Sequence, residues 1–299
     1  MICKREGKTM ICTLCPRMCR AERTETYGNG VCKSALLPRL ARADLHFDEE
    51  PVISENGGSG AVFFSGCALN CVFCQNYGIS HENFGKTITP ERLREIYFEL
   101  IAKGARNINL VSASHFAPAV CESLKGGLPV PVILNSSGYE RVETLRMFEG
   151  LVDVYLPDFK YALKETAEKY SAAPDYPEAA KKAIREMCRQ AGRVTLDENG
   201  NIQKGVIIRH LVLPGQVENS MRVLETIADE FPDAWVSLMA QYVPMGKANE
   251  YPEINRPIKQ EEYDEVVDYM MNLGFEDGFM QELESADKKY TPPFDLTGV

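Results

Sequence analysis

The sequence predicts an α/β protein: a partial, six-unit (β/α)6 TIM-like barrel with a small cysteine-rich N-terminal appendage. Three observations predict it. From about Ala61 onward, six short apolar runs (AVFFS, INLVS, VPVILN, VDVYLP, VIIRHLVLP and WVSLMA) have the length of buried strands. Between them lie stretches with an apolar residue every three or four positions, the period of a helix that buries one face. Continuous rather than alternating apolar runs, separated by helices, build a parallel sheet covered on its outer face. Six units are too few for the eight-fold barrel, so a three-quarter barrel is expected, with its chemistry at the carboxyl ends of the strands.

Taken in order, residues 1–60 are rich in cysteine, arginine and turn residues and close on Asn56-Gly57-Gly58-Ser59-Gly60. They read as a metal-binding segment and a connector. Residues 61–274 hold the barrel. Its first helix is the best marked: Thr89 supplies an N-cap, Pro90 the first turn, and Leu93, Ile96, Tyr97, Leu100 and Ile101 an apolar stripe. The same stripe recurs at Ala180, Ala183, Ile184, Met187 and Cys188, and at Tyr263, Val266, Val267, Met270 and Met271. Between Arg193 and Gln203, the turn DENGN joins two short β-like pieces and predicts a hairpin ahead of the fifth barrel strand. Residues 275–299, ending in KKYTPPFDLTGV, are expected as irregular chain packed on the barrel.

The 299 residues, 44% hydrophobic and 25% charged, can bury one large core or two small ones. No apolar run approaches the ~18 residues of a membrane span. The N-terminal MICKREGKTMICTLC has no continuous signal-peptide core, so a cytoplasmic protein without a membrane partner is expected. A net charge of -10 lacks the basic footprint of a nucleic-acid binder. The ten cysteines fall mostly in tight clusters of a long, unsignalled chain, a pattern of metal ligands rather than disulfides.

The stretch GCALNCVFCQNY puts Cys67, Cys71 and Cys74 directly after the first strand. Clustered thiolates select zinc, copper(I) or iron–sulfur clusters, and tetrahedral structural zinc takes four ligands. Three thiolates on a cubane cluster leave one iron open to chelate a substrate. The rival is a zinc knuckle completed by a fourth ligand such as His81. With the aromatic Phe73 before the third cysteine, the loop resembles the Cys-x3-Cys-x-aromatic-Cys signature of radical S-adenosylmethionine (radical SAM) enzymes. That resemblance implies a 4Fe-4S cluster on Cys67, Cys71 and Cys74 whose open iron binds S-adenosylmethionine. One electron then cleaves the sulfonium to methionine and a 5′-deoxyadenosyl radical, which takes hydrogen from a substrate.

The other strand ends can be compared with that family in turn. After the second strand, Ser112-Ala113-Ser114-His115 stands where many members carry Gly-Gly-Glu. Ser112 and Ser114 could accept from the cofactor's ammonium group, with no carboxylate beside them. His115 is a proton carrier, a substrate contact or a strand-end residue held by backbone. After the third strand, Asn135-Ser136-Ser137-Gly138 offers Ser136 as a grip on ribose or carboxylate, or serves the turn alone. The fourth strand ends VYLPDFKY and resembles the Asp-x-Lys segment of pyruvate formate-lyase activating enzymes. Asp158 and Lys160, two apart and so on one face, are expected to contact S-adenosylmethionine or orient its neighbours, the rival being a surface ion pair. The fifth, VIIRHLVLPGQ, resembles the Arg-x-x-x-x-Pro-Gly pattern of the same enzymes. Arg209 in an apolar strand must meet a carboxylate, and the cofactor's own is the candidate. The sixth, WVSLMAQYVP, sets Met239, Gln241 and Tyr242 near the mouth, Met239 packing on adenine or serving as plain core. Phe73 belongs to the expected cofactor contacts as well. Cys121 and Cys188 fall on apolar helix faces and read as small core residues.

In the N-terminal segment, CTLCPRMC and GNGVC supply Cys12, Cys15, Cys19 and Cys32, four thiols that can close a site around zinc or a second iron–sulfur cluster. Cys3 is unplaced. Together with ARADLHFDEEPVIS, GGSGAVFFSGC and CQNYGIS, these motifs resemble the uncharacterised homologues of pyruvate formate-lyase activating enzyme over most of the chain. The resemblance implies a radical SAM oxidoreductase, served by a reductant such as flavodoxin or ferredoxin, that takes hydrogen from a glycine of a partner protein. A peptide or small metabolite is the alternative substrate. The alternative of another class is an electron carrier or metal-dependent scaffold, which would need four protein ligands per cluster. The ferredoxin-like insertion of larger activases is absent, since some fifteen residues separate Cys74 from Pro90.

Overall fold

The structure, a computed structural model, describes residues 4–6, 9–285 and 291–299. Three short strands, β1 (Lys4–Glu6), β2 (Thr9–Ile11) and β3 (Glu22–Arg23), form a small antiparallel sheet. The main sheet begins with β4 (Arg39–His46) and β5 (Ser59–Phe64), with the short helix α1 (Pro51–Ser54) between them. After β5 come α2 (Tyr77–Ser80), β6 (Lys86–Thr87), α3 (Pro90–Ala102), β7 (Ile108–Val111), α4 (Ala117–Ser123) and β8 (Val132–Ser136). Then follow α5 (Val142–Leu145), β9 (Val154–Pro157), α6 (Lys164–Ser171), α7 (Tyr176–Ala191), β10 (Thr195–Leu196) and β11 (Ile202–Leu211). The chain closes with α8 (Val217–Glu230), β12 (Trp235–Met239), α9 (Gln260–Asn272) and β13 (Gly278–Met280).

Strands lie in the order β13-β12-β11-β9-β8-β7-β5-β4-β6. The run from β5 to β13 is parallel throughout, and β4, β6 and β10 add antiparallel pairs. All six predicted strands are present and adjacent in sequence order, giving a mixed α/β fold with a mostly parallel sheet. The DENGN hairpin is β10–β11, in which Asp197 Oδ1 accepts from the backbone N–H groups of Asn199 and Asn201 at 2.9 Å each. Thr89 caps α3 by accepting from Arg92 N, and Leu93, Ile96, Tyr97 and Leu100 are its buried face. Cys121 and Cys188 are half-buried against the main core.

Two strands lie where the sequence offers no apolar run. Arg39–His46, within the connecting segment, pairs antiparallel with β5; its buried residues are only Leu40, Ala41 and Ala43, too few and too small to stand out as an apolar run. Gly278–Met280, in the segment expected to be irregular, adds a parallel strand beside β12; three residues are too few to register as a run. Beyond it, residues 291–299 lie along β4, with Ala43 N donating to Thr297 O and Leu296 N to Ala41 O. Cys3 and residues 286–290 lie outside the described residues.

Strand parity divides the sheet into two faces. Val62, Leu110, Leu134, Tyr155, Val206, Ile208, Val236 and Leu238 join the helices in the main core. On the opposite face, Ile133, Val154, Leu156 and Ile207 pack with Ile53 of α1. The same parity carries Asn109, Asn135, Arg209 and Ser237, so the second face changes from apolar to polar within one layer of strands.

Candidate functional site

That polar zone opens into a cleft at the carboxyl ends of the strands. Strand ends β5, β7, β8, β9, β11 and β12 all contribute to its walls, as expected of a parallel sheet with chemistry at its carboxyl edge. Cys67, Cys71 and Cys74 line it together with Phe73, Ser112, Ser136, Asp158, Lys160, Arg209 and Met239. Ser114 does not; its hydroxyl donates to Glu140 Oε1 at 3.0 Å, while Ser136 donates to Glu140 Oε2 at the same distance.

The three loop sulfurs each accept a hydrogen bond. Leu69 N–H donates to Cys67 Sγ at 3.4 Å, Ser171 Oγ to Cys71 Sγ at 3.2 Å and Ser80 Oγ to Cys74 Sγ at 3.3 Å. Burial pushes the Cys67 thiol up to about 12, with Cys71 and Cys74 adding to the effect; Cys74 is raised by burial and by Cys71. Three thiolates can be held there only beside compensating positive charge, which a bound metal cluster supplies. Donors already aimed at each sulfur fit a three-thiolate cluster.

Among the described residues, no three Cys, His, Asp or Glu side chains gather as ligands of a single ion. The zinc knuckle is not formed by His81, whose ring stacks on Tyr77 at 4.2 Å with its Nδ1 2.8 Å from Ser80 Oγ.

On the far wall, Arg209 meets carboxylates of its own chain. Its Nε donates to Asp158 Oδ1 at 3.0 Å, NH1 to Glu49 Oε2 at 3.3 Å and NH2 to Asn135 Oδ1 at 2.6 Å. Lys160 Nζ lies 2.6 Å from Asp158 Oδ2. These side chains are 10–17% exposed, so Asp158–Lys160 is a half-buried pair on the cleft wall. Burial opposes the charge on Lys160, yet Asp158 and the nearby Cys71 raise its pKa; burial likewise opposes the Asp158 carboxylate, and Lys160 and Arg209 hold it down.

Glu49 is a cavity residue that sequence reasoning passed over. Burial raises its pKa against the pull of Arg209, and Asn109 Nδ2 donates to its Oε1 at 2.9 Å. The available signal was Asn109 itself, a polar residue at inward parity in INLV. His115 is buried away from the cleft: burial, and then Arg23, press its pKa down to about 3, and its Nε2 lies 3.0 Å from Ser65 O. Phe73 is packed edge-on between Tyr170 and Tyr242.

The segment that carries Cys12, Cys15, Cys19 and Cys32 packs beside this loop. Burial pushes Cys15 up to about 12, and Cys32, Cys12 and Cys19 raise it further by proximity. Arg23 NH2 donates to Cys32 Sγ at 2.9 Å, and a Cβ on Gly30 would stand 3.2 Å from Cys19 Sγ. The segment presses on the loop at Gly66 (φ 84), where a Cβ would lie 2.5 Å from Cys32 O. Of the non-glycine residues held at positive φ, Met18, Arg20 and Lys33 belong to this segment, and Asn70 and Ser112 flank the cleft.

No protein-family model matches the chain. It is 31% identical over 269 residues to the uncharacterized protein MJ0674 of Methanocaldococcus jannaschii, an alignment covering 86% of this chain and 73% of that one. Among solved structures it is similar to Streptococcus suis SuiB bound to S-adenosylmethionine, with 12% identity over 74% of this chain and a TM-score of 0.47; it spans about half the length of SuiB, 49%. It is also similar to methylornithine synthase (PylB), with 15% identity, 80% of this chain and 72% of that one covered, and a TM-score of 0.48. The chain belongs to the family of the M. jannaschii protein MJ0674.

Proposed function

We propose that the protein is a radical SAM enzyme whose curved sheet forms a partial barrel around a 4Fe-4S cluster held by Cys67, Cys71 and Cys74. One observation supports this: three thiols, each accepting a hydrogen bond, open into the same cleft as the charged ends of the parallel strands. When bound, a cluster on these cysteines would, with one electron from a low-potential donor such as flavodoxin or ferredoxin, supply the chemistry that cleaves S-adenosylmethionine to methionine and a 5′-deoxyadenosyl radical.

The chain's own residues bind and orient. Lys160 uses one partner oxygen, Asp158 Oδ2, and an ammonium group has three donors, so Lys160 is the leading site for the cofactor carboxylate. Arg209 spends its donors on Asp158, Glu49 and Asn135, and its role is to fix Asp158 opposite Lys160. Ser112 and Ser136 offer hydroxyls at adjacent strand ends, and Phe73 and Met239 offer apolar walls. The four N-terminal cysteines are offered as ligands of zinc or a second cluster.

The finer reading is hydrogen abstraction from a glycine of a partner protein. It rests on the Asp158-x-Lys160 and Arg209-to-Gly215 segments, which resemble those of pyruvate formate-lyase activating enzymes. Deuterium transfer into 5′-deoxyadenosine from labelled partner protein, against labelled peptide or metabolite, separates the substrates.

Anaerobic reduction of the iron- and sulfide-reconstituted protein with S-adenosylmethionine should release 5′-deoxyadenosine, and Cys71→Ala should abolish the product. Absence of both product and S-adenosylmethionine binding in the intact protein would instead favour an electron carrier or scaffold.

A further inference from the structure

Arg17 lies between Cys15 and Cys19, yet its side chain is spent entirely outside the N-terminal segment. Nε donates to Ala68 O at 2.9 Å, NH2 to Leu69 O at 3.0 Å and Ser171 O at 2.6 Å, and NH1 to Ala172 O. The guanidinium also sits over the Tyr139 ring, 5.4 Å from its centroid. A planar fork of five donors can span four carbonyls in this way, whereas a lysine ammonium cannot.

The four acceptors come from two places, and each carries a donor to a loop sulfur. The Ala68–Leu69 peptides hold the Leu69 N–H that reaches Cys67, and Ser171 holds the hydroxyl that reaches Cys71. We infer that Arg17 is a positioning residue for the cluster: from the N-terminal cysteine segment it sets the hydrogen bonds on the Cys67 and Cys71 sulfurs and thereby tunes the reduction potential. The inference rests on the radical SAM assignment of the same cleft. Hydrogen bonds to the sulfurs stabilise the more negative reduced state, so their loss lowers the potential.

The test compares wild type, Arg17→Ala, Arg17→Lys and Ser171→Ala after anaerobic reconstitution. Melting temperature and iron and sulfide content are read first. The midpoint potential of the S-adenosylmethionine-responsive cluster is then read by redox titration with electron paramagnetic resonance. Ser171→Ala, which deletes one sulfur donor directly, should shift the potential to a more negative value. Both Arg17 variants should retain the cluster and shift it in the same direction, Arg17→Lys included, because a point charge does not replace the fork. Folded Arg17 variants with wild-type potential would overturn the inference alone. So would failure of both to fold together with an unmoved potential in Ser171→Ala. A wild-type protein that takes up no cluster would overturn the radical SAM assignment as well.

Discussion

Glu140 is held by two serine hydroxyls in the interior, and burial raises its carboxyl pKa from 4.5 to about 7, partly opposed by Ser114 and Ser136. A folded-state pKa above the unfolded one means that the folded protein binds the proton more tightly. Its contribution to stability is therefore fully present below about pH 4.5 and is lost as pH rises through 7. The loss is on the order of 3 kcal/mol. Glu140→Gln should remove this slope, so that the variant gains stability relative to wild type between pH 5 and 8 in urea unfolding; parallel pH profiles would refute the assignment. Nothing in SSGYER announces a buried acid, because the polar neighbours of Glu140 make the segment look like a solvated turn. Arg209, by contrast, was legible as a charge requiring a carboxylate, since it stands alone in an apolar strand. Its partners were not: Asp158 and Glu49 answer it from 51 and 160 residues away.

Elements owe their ends to local chemistry, and α6 ends unusually. Its C-cap, Ala172, is left-handed at φ 46, a conformation that costs a residue with a Cβ roughly 1–2 kcal/mol. The turn persists because Ala172 N donates to Glu168 O and its carbonyl accepts from Arg17. Glycine would relieve the strain but lose about 0.4–1 kcal/mol to unfolded-chain entropy. Ala172→Gly should therefore stabilise by about 0.5 kcal/mol in denaturant unfolding, leaving the Cys67 and Cys71 sulfurs undisturbed. A destabilised variant would show that the Cβ packing outweighs the strain. The helices α3, α7 and α9 and the six main strands were readable because capping and hydrophobic period are properties of consecutive residues. The strand β4 was not, because only Leu40, Ala41 and Ala43 of it are buried and the other five residues are half-exposed.

At the scale of the molecule, the chain ends press on the site from both sides. The N-terminal segment packs on the cysteine loop, while residues 291–299 cover the outer edge of β4 and set Thr291 and Pro292 at the cleft. Phe294 packs edge-on against Phe63 at 5.6 Å, and Asp295 pairs with Arg42 at 3.1 Å. Deleting residues 291–299 should cost about 2–4 kcal/mol, from two lost backbone bonds and a lost aromatic contact. It should also promote self-association through the bared edge. Denaturant unfolding and light scattering test this, and an unchanged, monodisperse truncation would show the tail to be passive.

By itself the sequence determined the α/β alternation, the parallel run of strands and the three-thiol loop, because hydrophobic period and ligand spacing are written in neighbouring residues. Tertiary structure alone decided that Glu49 faces the cleft with Asn109 donating to it from behind, that Ser114 turns to Glu140, and that Arg17 clamps the loop of Cys67 and Cys71. Those partners are set by buried charges and backbone carbonyls seeking one another across strands distant in the chain, and no local pattern encodes which of them will meet.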